Sequence, residues 1–357
     1  MRIIQSLFFL TLLGIAVFYF LDRTETSPEE VVQQVTKIVK GKRHVLDTKV
    51  SPSEEDTSVV PLEGNIFQWI GQTSEALEGS FGVPVRIDKS AYDYEWWVYT
   101  NSTNQYVQFG VEDNVVKTIF ATGEGLDINP VYIGQPYGEV DQEFSFSEEV
   151  SYNNGVSSYK FRISKEDIQV RPLVKLNDNT FIQLYFDTFT DKLSSLRVLT
   201  ADTILKQRPY EIEYRGKLPD DPIFTEDEWE EIEKGMEQQI YDITNIIRHR
   251  HGKDKLDWEE SVSNVAFLHS KDMEENNYFS HYSLNGDGLK ERLEAGEVFY
   301  TAAGENIAAQ YPDAPAAMEG WLNSEGHREA LLSNDYTHIG VGVHRLYYTQ
   351  NFLGKPL

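Results

Sequence analysis

The chain carries eight histidines and no cysteine, so imidazole and carboxylate groups must supply any metal or acid–base chemistry it performs. Without thiols there are no disulfides, thiolate metal sites or cysteine nucleophiles. Neutral imidazole is a good ligand for zinc and its neighbours, and paired with a carboxylate it can act as a general acid or base. Neither Gly-x-Ser-x-Gly nor His-Glu-x-x-His occurs. Ser280 and Ser283 flank His281, yet adjacency in sequence does not make a nucleophile. The histidines fall in different settings. His249 and His251 are two positions apart, which puts them on different helix faces. They close a helix that begins acidic and ends Arg248-His249-Arg250-His251, so they are expected to act as cations at its C-terminal end rather than as a metal pair. His269 lies in the stripe Val262, Val265-Ala266, His269, Met273 and is expected to be a packed or hydrogen-bonded core residue. His281 follows the aromatic pair Tyr278-Phe279 in a loop, and His327 stands in Ser324-Glu325-Gly326-His327-Arg328 at the opening of a turn. Arg328 reads as a salt-bridging partner rather than a substrate clamp.

The elements that would position these groups are legible after Pro222. Thr225 with Glu228 is a capping box, and the helix it opens runs past Ile232, Ile240, Ile243 and Ile246-Ile247 to Gly252. A second box, Asp257 with Glu260, is expected to open the next helix, which ends near Asn276-Asn277. A short helix spans Leu289 to Glu294 and stops at Gly296, and another begins near Pro315 with Ala317, Met318 and Trp321 on it. His338 to His344 and Leu346 to Phe352 read as a hairpin. Helices flanking an antiparallel sheet make a layered α-β-α domain.

Seven motifs stand in order over residues 230 to 354. They are Asn245-x-x-Arg248, Ala266-x-x-His269-Ser270-x-x-Met273, Phe279-Ser280-His281, Gly304-Glu305-Asn306-Ile307-Ala308, Trp321-x-x-Ser324-x-Gly326-His327-Arg328, Ile339-Gly340-Val341-Gly342 and Thr349-Gln350-Asn351-Phe352. In this order they resemble a bacterial CAP domain of the SCP-like, cysteine-rich secretory protein superfamily. The resemblance implies a cleft lined by His281, Glu305 and His327, with a divalent, zinc-like cation at the histidines. Glu325 is a fourth candidate ligand. The eukaryotic pattern puts its second glutamate where Ser324 stands here, so Glu325 comes one position late. Two histidines and a carboxylate also match the ligand count of a zinc hydrolase with an open water position. The same trio could do acid–base work without metal, with Glu305 orienting one imidazole, or could tie loops over a small core by hydrogen bonds. The expected function is therefore a ligand- or cation-binding envelope module rather than an enzyme, its ligand a lipid, a cell-wall fragment, a protein or a cation. The alternative is a metal-assisted hydrolase acting on peptide or cell-wall substrate, for which His281, Glu305 and His327 are the catalytic candidates.

From Gly64 to about Thr203 the texture is β-branched and aromatic, with turn signals at Asn101-Ser102-Thr103-Asn104 and Glu112-Asp113-Asn114. Tyr106 to Asp113 and Phe181 to Asp187 look like repeats, as do Gly82-Val83-Pro84 and Gly134-Gln135-Pro136. Two small helix-plus-antiparallel-sheet units are expected, with Phe67 to Leu77 as the first helix. No titratable cluster stands out in them, so packing and partner contact are their expected roles. The Gly-x-Pro pattern, Tyr94-Glu95-Trp96-Trp97-Val98-Tyr99 and Tyr106-Val107-Gln108-Phe109-Gly110 resemble the N-terminal domain that accompanies CAP domains in Firmicutes. That resemblance covers about 140 residues and implies no established activity.

The whole reads as an α+β protein: anchor 1–21, stalk 22–62, duplicated domain 63–203, connection 204–223 and CAP domain 224–357. Length alone suggests two domains plus extras. A hydrophobic share of 40% is enough to build folded cores. The net charge of −26 (32 basic against 58 acidic residues) repels nucleic acid and anionic head groups, so a phosphate-backbone binder is not expected. Ile3 to Leu21 is almost wholly apolar and, as a helix of 19 residues, spans about 28 Å, close to the hydrocarbon thickness. It ends Val17-Phe18-Tyr19-Phe20-Leu21-Asp22 with no small-residue cleavage site. The expectation is an uncleaved, single-pass transmembrane helix with Arg2 inside and the later domains outside the cell membrane. Secretion after signal cleavage is the alternative. Absence of cysteine suits a bacterial surface protein.

Overall fold

The computed structural model describes residues 45–46, 66–101 and 103–355. The expected anchor, 1–21, and the stalk, 22–62 apart from residues 45–46, lie outside them. Among the described residues no helix is long and apolar enough to cross a membrane.

The N-terminal domain contains β1 (Val45–Leu46), α1 (Ser74–Phe81), β2 (Arg86–Lys89), β3 (Glu95–Thr100), β4 (Gln105–Glu112), β5 (Val115–Gly123), α2 (Tyr137–Phe144), β6 (Glu149–Asn154), β7 (Ser157–Arg162), α3 (Lys165–Val170), β8 (Leu173–Asn177), β9 (Thr180–Asp187), β10 (Lys192–Thr200), α4 (Ala201–Gln207) and β11 (Glu211–Arg215). The first helix is not continuous from Phe67. Gly71 takes φ +82°, which interrupts the chain after a short 3₁₀ turn at Phe67–Trp69, and Thr73 then caps Ala76 at 3.2 Å.

The two repeats do not form separate sheets. They join into one seven-stranded sheet in the order β2-β3-β4-β5-β10-β9-β8, with Thr118 to Thr122 of β5 pairing antiparallel with Leu199 to Ser195 of β10. Each half alone would leave a long apolar strand with an open row of N–H and C=O groups, and pairing the two edges satisfies both rows. The stretch 204–223, read as a connection, supplies the end of α4 and all of β11. Ile204, Leu205 and Ile212 are buried there, and β11 pairs with β7 and β1 in a smaller sheet.

The C-terminal domain contains α5 (Glu226–Arg250), β12 (Asp257–Trp258), α6 (Glu260–Glu275), α7 (Leu289–Ala295), β13 (Ala302–Ala309), α8 (Ala314–Leu322), α9 (Glu325–Leu332), β14 (His338–His344) and β15 (Tyr347–Gly354). The Thr225–Glu228 capping box forms as expected. The Asp257–Glu260 box does not: Asp257 and Trp258 instead pair in parallel with His338 and Ile339, and α6 begins without a side-chain cap. The terminal hairpin turns through Arg345 and Leu346, both at positive φ, the geometry that suits the twist of its strands.

The sheet order is β12-β14-β15-β13. Ile339, Val341, Val343, Tyr348 and Phe352 pack with Ile240, Ile243 and Ile247 of α5 and with Met318 and Trp321 of α8. On the other face Gly340 and Gly342 let the backbone of α6 lie directly on β14, since a Cβ at either would collide with Ser263 or Phe267. The two domains belong to one compact unit. Trp96, Val98, Tyr106 and Phe120 of the seven-stranded sheet, with Tyr94 just before β3, share the α5 core, so α5 is buried between the two sheets. Arg86 bonds Asp242 at 3.0 Å and Gln239 bonds Asp88 at 3.0 Å across that contact.

Candidate functional site

His281 is held in its loop from three sides. His269 Nε2 bonds the Ser280 carbonyl at 3.0 Å, Arg292 Nη1 donates to the His281 carbonyl at 3.0 Å, and the ring Nδ1 meets Glu305 Oε1 at 2.9 Å. Opposite a carboxylate, which only accepts, Nδ1 is the donor of that bond, and Nε2 is the ring nitrogen turned away from Glu305. His281 is the exposed member, its side chain 38% accessible against 4% for Glu305.

Glu305 comes from the edge strand β13, and its second oxygen accepts Arg292 Nη2 from α7 at 2.6 Å. Burial by itself would raise the Glu305 carboxyl, but the His281 hydrogen bond and the Arg292 charge outweigh it and hold the group below its ordinary value. Glu305 is therefore an anion at neutral pH with both oxygens engaged. It backs His281, with Oε1 on the His281 ring and Oε2 on the Arg292 guanidinium.

His327 lies in the first half of α9, its Nδ1 2.9 Å from Ser324 Oγ and its carbonyl bonded by Asn306 Nδ2 at 3.0 Å. The His281 and His327 ring centroids are 6.4 Å apart, with their planes at 41°. With Zn–N bonds of about 2.0–2.1 Å, each centroid of two imidazoles on one ion would stand about 3.2 Å from it. The observed spacing equals the sum of the two, which only a linear arrangement reaches; a tetrahedral ion would hold the centroids about 5.2 Å apart, so the rings would have to close by about 1 Å to share one. Among the described residues no group of three or more His, Asp or Glu side chains is arranged to hold a metal ion. The donor set fits two imidazoles with Glu305 as the carboxylate behind one of them, a relay common around bound zinc.

Glu325 is not brought to this group. It is exposed on the first turn of α9, and two residues before His327 its side chain points about 200° round the helix from the histidine. His269 is buried at 1% exposure, and burial is the main cause that takes its imidazole down to about 4, so it is a neutral hydrogen-bonding residue as expected. His251 departs from expectation. Burial, with Arg250 and Arg328 nearby, also lowers it to about 4, so it is not a cation at the end of α5, a role left to its arginine neighbours. Arg328 is a salt-bridging residue, paired with Asp187. Arg292 was not singled out from the sequence, where it reads as one more charge in Lys290-Glu291-Arg292.

The sheet β12-β14-β15-β13, with α5 and α8 on one face and α6 on the other, is the α-β-α arrangement of a CAP-type domain. Residues 241–354 match the family model of the cysteine-rich secretory protein family, and residues 70–210 match that of the CAP-associated N-terminal domain. The chain is 49% identical over 296 residues to the uncharacterized membrane protein YlbC of Bacillus subtilis, covering 83% of this chain and 85% of that one. It is similar to the crystal structure of an extracellular protein containing a SCP domain from Bacillus anthracis, at 44% identity and a TM-score of 0.77, with 87% of this chain and 100% of that one covered. A cysteine-rich secretory protein from Staphylococcus aureus matches at 26% identity and a TM-score of 0.71, over 83% and 97% of the two chains. The chain belongs to the CAP family, as a member that carries the CAP-associated N-terminal domain.

Proposed function

We propose that the protein is a membrane-anchored, extracytoplasmic module that binds a divalent, zinc-like cation between His281 and His327 and presents it to a ligand at the cell envelope. The observation that carries the reading is the Arg292–Glu305–His281 chain, with links of 2.6 and 2.9 Å. It orients an exposed imidazole, as the carboxylates behind metal-binding histidines do. When bound, the cation supplies a Lewis-acidic centre for an oxygen or nitrogen of the ligand. Tyr282 and Leu284, beside His281 and 52% and 68% exposed, give the rim an apolar part suited to a lipid, cell-wall fragment or protein segment. The hydrolase alternative needs a carboxylate base near the ion, and Glu305 is engaged elsewhere. The anchor reading rests on the apolar run Ile3 to Leu21, and the names of the Bacillus relatives, a membrane protein and an extracellular protein, agree with it.

The test is zinc uptake by the full-length chain in detergent. Wild type should bind zinc, and a His281→Ala/His327→Ala double variant should lose it. Equal uptake by the two proteins would overturn the proposal.

A further inference from the structure

The N-terminal domain meets the CAP domain at the segment that carries His327. Asp187, 3% exposed at the end of β9, grips the Arg328 guanidinium with both oxygens, at 2.8 and 2.9 Å. The same guanidinium donates to the Leu322 carbonyl at 3.1 Å and lies 4.8 Å over the Phe189 ring. Thr188 donates its N–H and its hydroxyl to Asn323 Oδ1, each at 2.8 Å, and Asn323 Nδ2 donates to the Phe186 carbonyl at 2.8 Å. Asn323 and Arg328 bracket Ser324 and His327, the pair joined at 2.9 Å. Four consecutive residues of the N-terminal domain, 186–189, therefore hold the α8–α9 turn at Asn323 and the first turn of α9 at Arg328.

This is more than general adhesion. A bidentate carboxylate–guanidinium pair fixes direction as well as distance, and it sits on the residue next to the histidine. Loss of the Asp187 charge leaves Arg328 buried with its cation poorly compensated, and movement of the α9 start that relieves this carries His327 with it. Small displacements matter here, because a tetrahedral ion shared by the two rings needs them about 1 Å closer than they stand.

We infer that the N-terminal domain is the positioning module of the CAP site, and that Asp187, through Arg328, sets where the His327 ring stands relative to His281. Asp187 is a positioning residue and touches no ligand. The consequence for cation affinity rests on the function proposed above; the consequence for the His327 ring does not.

The experiment compares full-length wild type with Asp187→Asn, Thr188→Ala and, as control, Asp242→Asn, which weakens another cross-domain ion pair, to Arg86 on β2. Two quantities are read: the metal-free ring resonances of His327, assigned with His327→Ala, and zinc affinity by titration. Asp187→Asn should melt cooperatively, move or split the His327 signals and weaken zinc binding about ten-fold, as loss of an orienting partner typically does. Thr188→Ala should move the same signals less, and Asp242→Asn should leave them in place. If Asp187→Asn does not melt cooperatively, Thr188→Ala decides. His327 signals in the deciding variant that coincide with wild type, or that move equally in Asp242→Asn, would overturn the inference. Signals that move as expected while wild type takes up no zinc would uphold the positioning and remove the cation reading alone.

Discussion

Arg292 and Glu305 are joined at 2.6 Å, Nη2 to Oε2, with both side chains almost fully buried, and this pairing decides what Glu305 can do. A carboxylate neutralised from behind by a guanidinium keeps its charge at neutral pH but has little left for an incoming metal or proton. Its remaining action is on His281.

Glu305→Gln should therefore act on two quantities at once. The amide can still occupy the position, but the Arg292 charge is left buried without its counter-ion. Stability should fall by about 3 kcal/mol, the lower end for breaking a buried pair, and zinc affinity should fall about ten-fold. Urea denaturation and zinc titration of the same preparation check both.

Glu237 on α5 provides a pH test of opposite sign to the usual carboxylate. Burial first, then Glu233 and Glu260, raise it to about 8 even though the Val343 N–H bonds it at 3.0 Å. Its folded value lies above the unfolded one, so its contribution is full below the unfolded value and is lost as pH rises from about 4.5 toward 8. Glu237→Gln keeps the acceptor and removes the titration. The variant should gain on wild type as pH rises, the denaturation midpoints nearly coinciding at about pH 4.5 and separating by about pH 8.

His269 and His251 work in the other direction. Both fall to about 4 when folded, so the unfolded chain binds more protons between about 4 and 6.5, and stability is present above that window and lost as pH drops through it. His269→Asn should flatten the stability profile across this window. It should also loosen the His281 loop, read as faster amide exchange at His281 and Tyr282.

Gly342→Ala tests the closest helix–sheet approach. The added methyl meets the Phe267 backbone of α6, which cannot yield as a flexible side chain would. A loss of about 3 kcal/mol, the upper part of the overpacking range, is expected in urea denaturation.

The parts of this molecule legible in the sequence are those governed by neighbours a few residues apart. The Thr225–Glu228 capping box and the terminal hairpin form as read, because each is written in one short segment. The pairing of β5 with β10 was hidden, since it joins Thr118 to Leu199 and neither strand names its partner. Asp257 carried a correct capping signal that lost to a tertiary choice, two rungs on β14. At the site, the motifs single out His281, Glu305 and His327, and the structure puts the His281 ring 2.9 Å from Glu305 and 6.4 Å, centroid to centroid, from that of His327. Arg292 and Asp187 are not singled out, because an arginine or aspartate in a polar stretch looks the same whether it faces water or a buried partner. Glu325 was drawn in by sequence proximity to His327, and helical rotation takes it away.

The central claim is that His281 and His327 share one cation. Crystals of the protein soaked in zinc and measured at the zinc absorption edge test it most directly. An anomalous peak between the two rings, within about 2.1 Å of a nitrogen of each, is the predicted result. Density that shows the two imidazoles in place with no peak between them would contradict it.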